Sequence, residues 1–429
     1  MSDRHSRKES DLAGENLRLR RAVEELTVLN DLAMAIGASV DSQEIMRTIV
    51  SRSTAAVTAE QGAITLLDEA PGTKKTLVRA TVSSAERPPI HLRECVAGWM
   101  CLHRNALLVN DPETDERFAG VAWDPSVRNI LCVPLLVKSR LIGALTVYNR
   151  EDGDFTDDDQ RLLSIVASQS AQVIENARLY EEEQVLQSVE RELELAARIQ
   201  RDLLPHKVPD IPGYDLAGLT VPARVVGGDY YDFIGRSGES LTICLGDVSG
   251  KGLPAALLMA SLQATVRGHA LSSPSPAACL EFANRLLHEH TDPSTFVTLF
   301  CGVLDPASAT LTYAMAGHER PILRSADGRV SRLAESGIVL GFNAQASYSE
   351  TDVPIEPGDT LLLFSDGVTE AMAEDGSLFG EERFLSVVES AVEASARDLI
   401  AAIIGAVSDH AGGREQSDDL TLVALRRLP

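Results

Sequence analysis

Leu241-Thr-Ile-Cys-Leu-Gly-Asp-Val-Ser-Gly-Lys-Gly252 begins as an apolar run and breaks on an aspartate inside a glycine-rich turn. The run Leu241 to Leu245 reads as a buried strand, so Asp247 is delivered to a strand end rather than to a random surface loop. The same juxtaposition recurs at Gly228-Asp229, at Phe364-Ser-Asp366-Gly367 after the run Thr360 to Phe364, and at Ser417-Asp418-Asp419-Leu-Thr421. A single Asp-Gly is usually only a turn. Four acidic clusters, each abutting an apolar run, bring hard oxygen ligands to one edge of a sheet, which is what Mg2+ or Mn2+ requires. Two such ions sharing a carboxylate at ~4 Å would hold a bridging hydroxide and orient it for in-line attack on phosphorus. Phosphoester hydrolysis then needs no protein nucleophile.

Around these clusters the chain is strand-rich: Tyr214 to Val221, Thr295 to Leu304, Thr310 to Ala316 and Leu420 to Leu425, with helical stretches at Pro254 to His269 and Pro276 to Glu289. Many strands with a few grouped helices predict an α+β domain whose helices flank antiparallel sheets. It follows three prolines, Pro205, Pro209 and Pro212. Before them an uninterrupted helical pattern runs from near Thr156 to Leu204, with Leu179, Leu186 and Leu193 on one heptad line and Val189, Ala196 and Leu203 on the other. Such a helix predicts a coiled-coil connector that transmits rotation or register.

Further upstream, Asp41 to Val50 reads as a helix and Gly62 to Leu67 as a strand. Ile130 to Val137 and Leu141 to Tyr148 read as a hairpin pair. Thr156 is a good N-cap, with acids in the first turn. Leu12, Leu19 and Leu26, spaced by seven, predict a short dimerising helix at the start of the chain. Trp99, Trp123 and Phe118 are candidates for a ligand pocket or, more economically, for core.

The 429 residues suffice for two to three domains, and no stretch approaches the ~20 apolar residues of a membrane span. The polar start, Met1 to Asp11, has no apolar leader, so a cytoplasmic protein is expected. Six scattered cysteines without CxxC spacing read as free thiols. The net charge of −24 argues against a nucleic-acid partner.

The segment from Asn30 to Arg178 resembles a GAF domain, a small-molecule sensor and dimerisation module, through its Val-Pro-Leu strand, the Gly143 hairpin and the Phe155-x-x-x-Asp159 helix start. Asn149-Arg150, Phe155 and Asp159-Gln160 look like a degraded form of the cyclic-nucleotide motif. Gly227-Gly-Asp-Tyr-Tyr-Asp-Phe233, Gly246 to Gly252, Ala316-Gly-His318, Phe364 to Val368 and Asp418-Asp-Leu-Thr421 resemble the SpoIIE/RsbU family of bacterial serine phosphatases, of the metal-dependent protein phosphatase class. That resemblance implies an α/β/β/α antiparallel β-sandwich and a site for two divalent ions, Mn2+ or Mg2+. Asp247 would bridge them, the Val248 carbonyl would ligate one, Asp366 would complete the first with Asp418 or Asp419, and Asp229 would serve the second. Arg224 and Lys251 are candidates for phosphate, His318 for a pocket or turn.

The expected organisation is therefore a polar tail and short coiled coil over residues 1–29, a GAF sensor over 30–178, a linker helix over 179–206 and a phosphatase over 207–429. The resemblance implies a dimeric, sensor-regulated phosphoserine/phosphothreonine phosphatase. Its substrate would be a phosphorylated anti-anti-sigma factor of the STAS type, and an unknown small-molecule or protein ligand would bind the sensor. The alternatives are a diguanylate-cyclase-like enzyme, disfavoured because Tyr230 stands where that chemistry needs a carboxylate, and a non-catalytic signalling scaffold. The Gly246 to Gly252 loop is one residue short of a phosphate-binding P-loop and lacks its Ser/Thr.

Overall fold

The computed structural model describes residues 41–67, 76–83, 94–236, 240–292, 294–334 and 337–429, and divides into two compact units, Met1–Ser188 and Val189–Pro429. The heptads expected from Leu12 to Leu26 lie outside the described residues.

The first unit is built on strands β1 (Ala59–Leu67), β2 (Thr76–Ser83), β3 (Leu107–Val109), β4 (Ile130–Val137) and β5 (Arg140–Arg150), in the order β2-β1-β5-β4-β3 and antiparallel throughout. Both faces of β4 are covered, which explains its unbroken apolar run. Leu131, Val133 and Leu135 face helix α1 (Ser42–Ala56) and the start of the long helix α3 (Asp157–Leu203), packing with Ile49, Leu163 and Ile174. Ile130 and Cys132 face the opposite side, where α2 (Glu94–His103) contributes Val96 and Met100. Phe118 meets Trp123 edge-on at 5.6 Å in that second cluster, and Trp99 packs against it, so these aromatics contribute to core. Gly143 of β5 runs so close to β1 that a Cβ would fall far inside contact with the Thr65 backbone oxygen.

Helix α3 starts on a reciprocal cap. The Asp159 N–H donates to the Thr156 hydroxyl at 3.2 Å, and the Asp159 carboxylate accepts the Thr156 N–H at 2.8 Å. Arg150 pairs with the same carboxylate at 3.2 Å, so two residues of the degraded nucleotide motif tie the hairpin to the helix start. Among the described residues no helix is long and apolar enough to cross a membrane.

The second unit is a sandwich of two antiparallel sheets. One runs β13-β10-β9-β8-β7, from β7 (Tyr230–Arg236), β8 (Ser240–Val248), β9 (Val297–Asp305), β10 (Thr310–Ala316) and β13 (Thr351–Pro354). The other runs β12-β11-β14-β15-β6, from β6 (Tyr214–Val221), β11 (Ile322–Arg324), β12 (Val330–Arg332), β14 (Thr360–Phe364) and β15 (Leu420–Arg427). Tyr231, Ile243, Phe300, Tyr313, Leu363 and Val423 fill the space between them. Outside the first sheet lie α4 (Leu253–Ala270) and α5 (Pro276–His290), which bury Met259, Leu262 and Leu280 against Cys244 and Cys301. Outside the second lie α6 (Gly367–Glu370), α7 (Gly380–Ser390) and α8 (Ala396–Ala411), with Phe384, Leu399 and Ile403 against Leu362 and Leu422. This is the α/β/β/α arrangement, with α6, α7 and α8 added to the two helices legible in the sequence.

Candidate metal centre

Strand register brings the acidic clusters together. Tyr230 of β7 pairs with Gly246 of β8, which sets Asp229, one residue before β7, beside Asp247. In the second sheet Phe364 pairs with Leu422, and the Ser365 N–H donates to the Thr421 carbonyl at 3.0 Å, so Asp366 and the Asp418-Asp419 pair leave adjacent strands at the same end. The Ser365 hydroxyl accepts the Thr421 N–H at 3.0 Å and donates to the Asp419 carbonyl at 3.1 Å, locking that junction. The expected single sheet edge is thus corrected. Asp229 and Asp247 come from one sheet of the sandwich, Asp366, Asp418 and Asp419 from the other, because the sandwich stacks the ends of both sheets over one another.

Asp419 spans the two groups. Its carboxylate accepts the N–H groups of Ala223 at 2.8 Å, Gly228 at 2.6 Å and Asp229 at 3.3 Å, pinning the loop that carries Asp229. Gly227 and Gly228 are glycines for lack of room: a Cβ would strike the Asp419 carboxylate at the first and the Val248 carbonyl oxygen at the second. After Val248 the chain turns through Gly250 and Gly252, at φ 97° and 76°, which admits glycine readily, and enters α4.

The electrostatics are those of crowded carboxyls. Burial pushes the Asp247 carboxyl up to about 7, helped by the charges of Asp366 and Asp418 and opposed by its hydrogen bond with Asp229. Burial also drives Asp229 well above the carboxylate range, and the Asp247 charge adds to it. Asp366 is raised by burial and then by Asp418. One oxygen of Asp229, Oδ2, is buried without a hydrogen-bond partner. The neighbouring cation is Lys251, whose Nζ lies 2.8 Å from Asp418 Oδ2 and donates to the Ser417 carbonyl at 2.6 Å. Among the described residues no three His, Cys, Asp or Glu side chains stand close enough together, as placed, to hold a metal ion. The set nevertheless fits hard divalent cations: oxygen donors only, an orphaned buried oxygen, and mutual repulsion that a cation relieves.

A carboxyl whose folded pKa lies above its unfolded one stabilises the fold below the unfolded value, and that contribution is lost as pH rises through the folded value. For Asp247 the window runs from 3.8 to about 7. The metal-free chain is therefore expected to melt at lower temperature near pH ~8 than near pH ~5.5, and Mn2+ is expected to raise Tm more at the higher pH. Calorimetric scans with and without Mn2+ check this; a cation effect equal at both pH values contradicts it.

Other sequence candidates are dispersed around the centre. The Arg224 guanidinium sits beside the Gly252 turn and lines a cavity of about 420 Å3 with Arg198, Gln200 and Arg201. His318 is buried, its Nδ1 2.8 Å from the Thr298 hydroxyl. Three supporting residues escaped the sequence reading. Gln200 grips Gly227 from both sides, donating to its carbonyl at 2.6 Å and accepting its N–H at 3.1 Å. Ser365 carries no signal beyond its place in Phe-Ser-Asp-Gly. Asp232, inside the quoted glycine-aspartate motif, pairs with Arg267 of α4 at 2.7 Å and so anchors β7.

A Stage II sporulation protein E (SpoIIE) family model matches residues 237–428, and a GAF domain model matches residues 39–175. Phosphoserine phosphatase RsbU of Bacillus subtilis is 34% identical over 253 residues, covering 58% of this chain and 75% of RsbU. Protein IcfG of Synechocystis is 29% identical over 263 residues, covering 55% of this chain and 41% of IcfG. The solved PP2C domain of SiaA from Pseudomonas aeruginosa, 24% identical, superposes with a TM-score of 0.51, covers 56% of this chain and 98% of that domain, and has the same fold. With a sandwich of that fold, acidic clusters gathered at one end of it and this identity to RsbU, the chain belongs to the SpoIIE/RsbU family of metal-dependent protein serine/threonine phosphatases and carries a GAF domain ahead of its phosphatase domain.

Proposed function

We propose that the protein removes phosphate from a phosphoserine or phosphothreonine of an anti-anti-sigma factor of the STAS type, and that its GAF domain controls this in response to a ligand. The observation that carries the chemistry is the convergence of five carboxyls from both sheets, with Asp229 and Asp247 driven upward and Asp229 Oδ2 unpartnered. Asp229, Asp247, Asp366, Asp418 and the Val248 carbonyl are the residues we assign to two divalent ions, Mn2+ or Mg2+. Such ions supply Lewis-acid activation of water and neutralise the charge on the transferring phosphoryl group.

The chain's own contribution is placement. Asp419 is assigned to holding the Asp229 loop rather than to ligation, since its carboxylate already accepts three backbone N–H groups. Ser365 fixes the Asp366 and Asp418 segments relative to each other. Lys251 orients Asp418 and leaves a cation at the rim, where a phosphate dianion arrives.

Regulation and assembly belong to the same proposal. Gln200, near the end of α3, holds Gly227 two residues before Asp229, so a displacement of the helix end is felt at the metal loop. Leu179, Leu186 and Val189 are about half exposed or more along α3, which supports pairing with a second copy through the linker residues 179–206, helical as far as Leu203. A dimeric cytoplasmic enzyme with a sensor over 30–178 and a phosphatase over 207–429 accounts for these features together.

The substrate assignment is tested by incubating the full chain and Mn2+ with each phosphorylated anti-anti-sigma protein of its own genome. Release of phosphate from at least one, at a rate well above that from unrelated phosphoproteins, is expected. Equal rates on all of them overturn the substrate class while leaving the chemistry standing.

A further inference from the structure

Beside the metal centre the phosphatase unit has a second polar cavity, of about 510 Å3, lined by His318, Glu319, Arg320, Arg332, Gly337 and Glu381. Its size is that of a ligand site. It adjoins the acidic clusters from two directions. The Glu319 charge acts on Asp366, and His318 hydrogen-bonds Thr298, the strand partner of Asp247.

The lining is preorganised. Arg332 pairs with Glu381 at 2.6 Å, donates to the Arg320 carbonyl at 2.6 Å and lies over the Phe364 ring at 5.5 Å. Arg320 in turn donates from Nε to the Leu333 carbonyl at 2.9 Å. Gly317, at φ 62°, turns the chain at the end of β10, leaving His318 buried and Glu319 exposed. His318 is 7% exposed, and its Nε2 is buried without a partner. Burial pushes the imidazole down to about 3, so the ring is neutral at working pH. Either group can donate in the Thr298–His318 hydrogen bond; in the tautomer whose Nδ1 accepts from the hydroxyl, Nε2 carries the proton and is an unused donor, which a folded protein rarely leaves buried without use.

We propose that this cavity seats the polypeptide flanking the phosphoserine of the substrate, with His318 donating a hydrogen bond from Nε2 to a backbone carbonyl of that segment. The chemistry of the lining favours such an occupant. Two arginines face two glutamates, one arginine is already paired, and the buried donor is neutral, so the cavity suits a neutral hydrogen-bonding group better than an anion. A peptide backbone beside the scissile phosphate supplies that group in every phosphoprotein. His318 is on this account a positioning residue that discriminates a polypeptide phosphoester from a small one.

The inference rests on the metal centre assigned above, and the two are separable by experiment. kcat and KM are measured for the full chain in Mn2+ with phosphoserine heptapeptides and with p-nitrophenyl phosphate, for wild type, His318→Leu, His318→Gln and Arg320→Ala. His318→Leu is expected to lower the ratio of kcat/KM for peptide over p-nitrophenyl phosphate about tenfold, mainly through KM, and His318→Gln to recover most of it by restoring a donor. If His318→Leu does not fold, Arg320→Ala decides: an unchanged ratio overturns the proposal, and a fall of about threefold or more supports it. Equal losses on both esters also overturn it, as does a wild type that hydrolyses peptide no better than p-nitrophenyl phosphate, because a seated polypeptide must add to transition-state binding. Failure of the wild type to hydrolyse either ester removes the metal centre, and this proposal with it.

Discussion

Asp247→Asn is expected to lower kcat/KM for phosphoserine hydrolysis at least about 10^3-fold while raising the Tm of the metal-free chain at alkaline pH. The two effects have one cause. Asp247 sits among Asp229, Asp366 and Asp418, and burial together with the charges of Asp366 and Asp418 pushes its carboxyl up to about 7 against the hydrogen bond with Asp229. Above that pH its ionised form is a cost to the fold, on the order of 4 kcal/mol, which asparagine removes while keeping the shape. Well below pH 3.8 the aspartate is neutral in the folded and unfolded chain alike, and the difference in Tm is expected to vanish. Activity is lost because the carboxylate assigned to both cations is gone. A structural aspartate behaves oppositely, its removal lowering Tm; melting curves at two pH values alongside the activity assay separate the cases.

The neighbouring pair Asp418 and Asp419 is expected to divide into a chemical and a structural member. Asp419→Ala leaves the N–H groups of Ala223, Gly228 and Asp229 without their acceptor, all three being in the loop that carries a proposed ligand. At about 1 kcal/mol or more for each buried donor, a loss of about 3 kcal/mol is expected, with activity falling because Asp229 is no longer held. Asp418→Asn is expected to keep stability within about 1 kcal/mol, since its carboxylate is partly exposed and an amide oxygen can still accept the Asp419 N–H that Oδ1 accepts at 2.9 Å. Its activity is expected to fall at least about 10^2-fold and to need more Mn2+. Urea unfolding and Mn2+ titration of both variants measure this, and the reverse pattern would assign ligation to Asp419.

Much of this was legible before any coordinates. Strands Tyr214–Val221, Thr310–Ala316 and Thr360–Phe364 begin and end where the strand-like runs do: Thr360–Phe364 is buried at every position and nearly all apolar, while the other two mix buried with half-buried positions, and turn residues cut all three. The strands Ile322–Arg324 and Val330–Arg332 were not, since three residues carry no period. Ala396–Ala411 does carry end signals, Ser395 accepting the Asp398 N–H and Gly412 in the left-handed region, but no acidic motif marks it. The acidic clusters announced a metal centre only as a set, each one alone reading as a turn. Their distribution over two sheets could not be read, because it depends on which strands pair and how the sheets stack. For the same reason the hold of Asp419 on the loop of Ala223, Gly228 and Asp229 could not be read. The contacts of Gln200 with Gly227 and of His318 with Thr298 are tertiary and leave no local pattern.

The central claim is that clustered carboxyls at the shared end of two sheets form a divalent-metal phosphatase centre. Its most direct measurement is phosphate release from a phosphoserine protein by the full chain after exhaustive treatment with EDTA, followed by titration with Mn2+ or Mg2+. The account predicts no release without the cation, recovery on its addition, and no recovery for Asp247→Asn. Undiminished release in EDTA, or recovery in the Asp247→Asn chain equal to wild type, would contradict it.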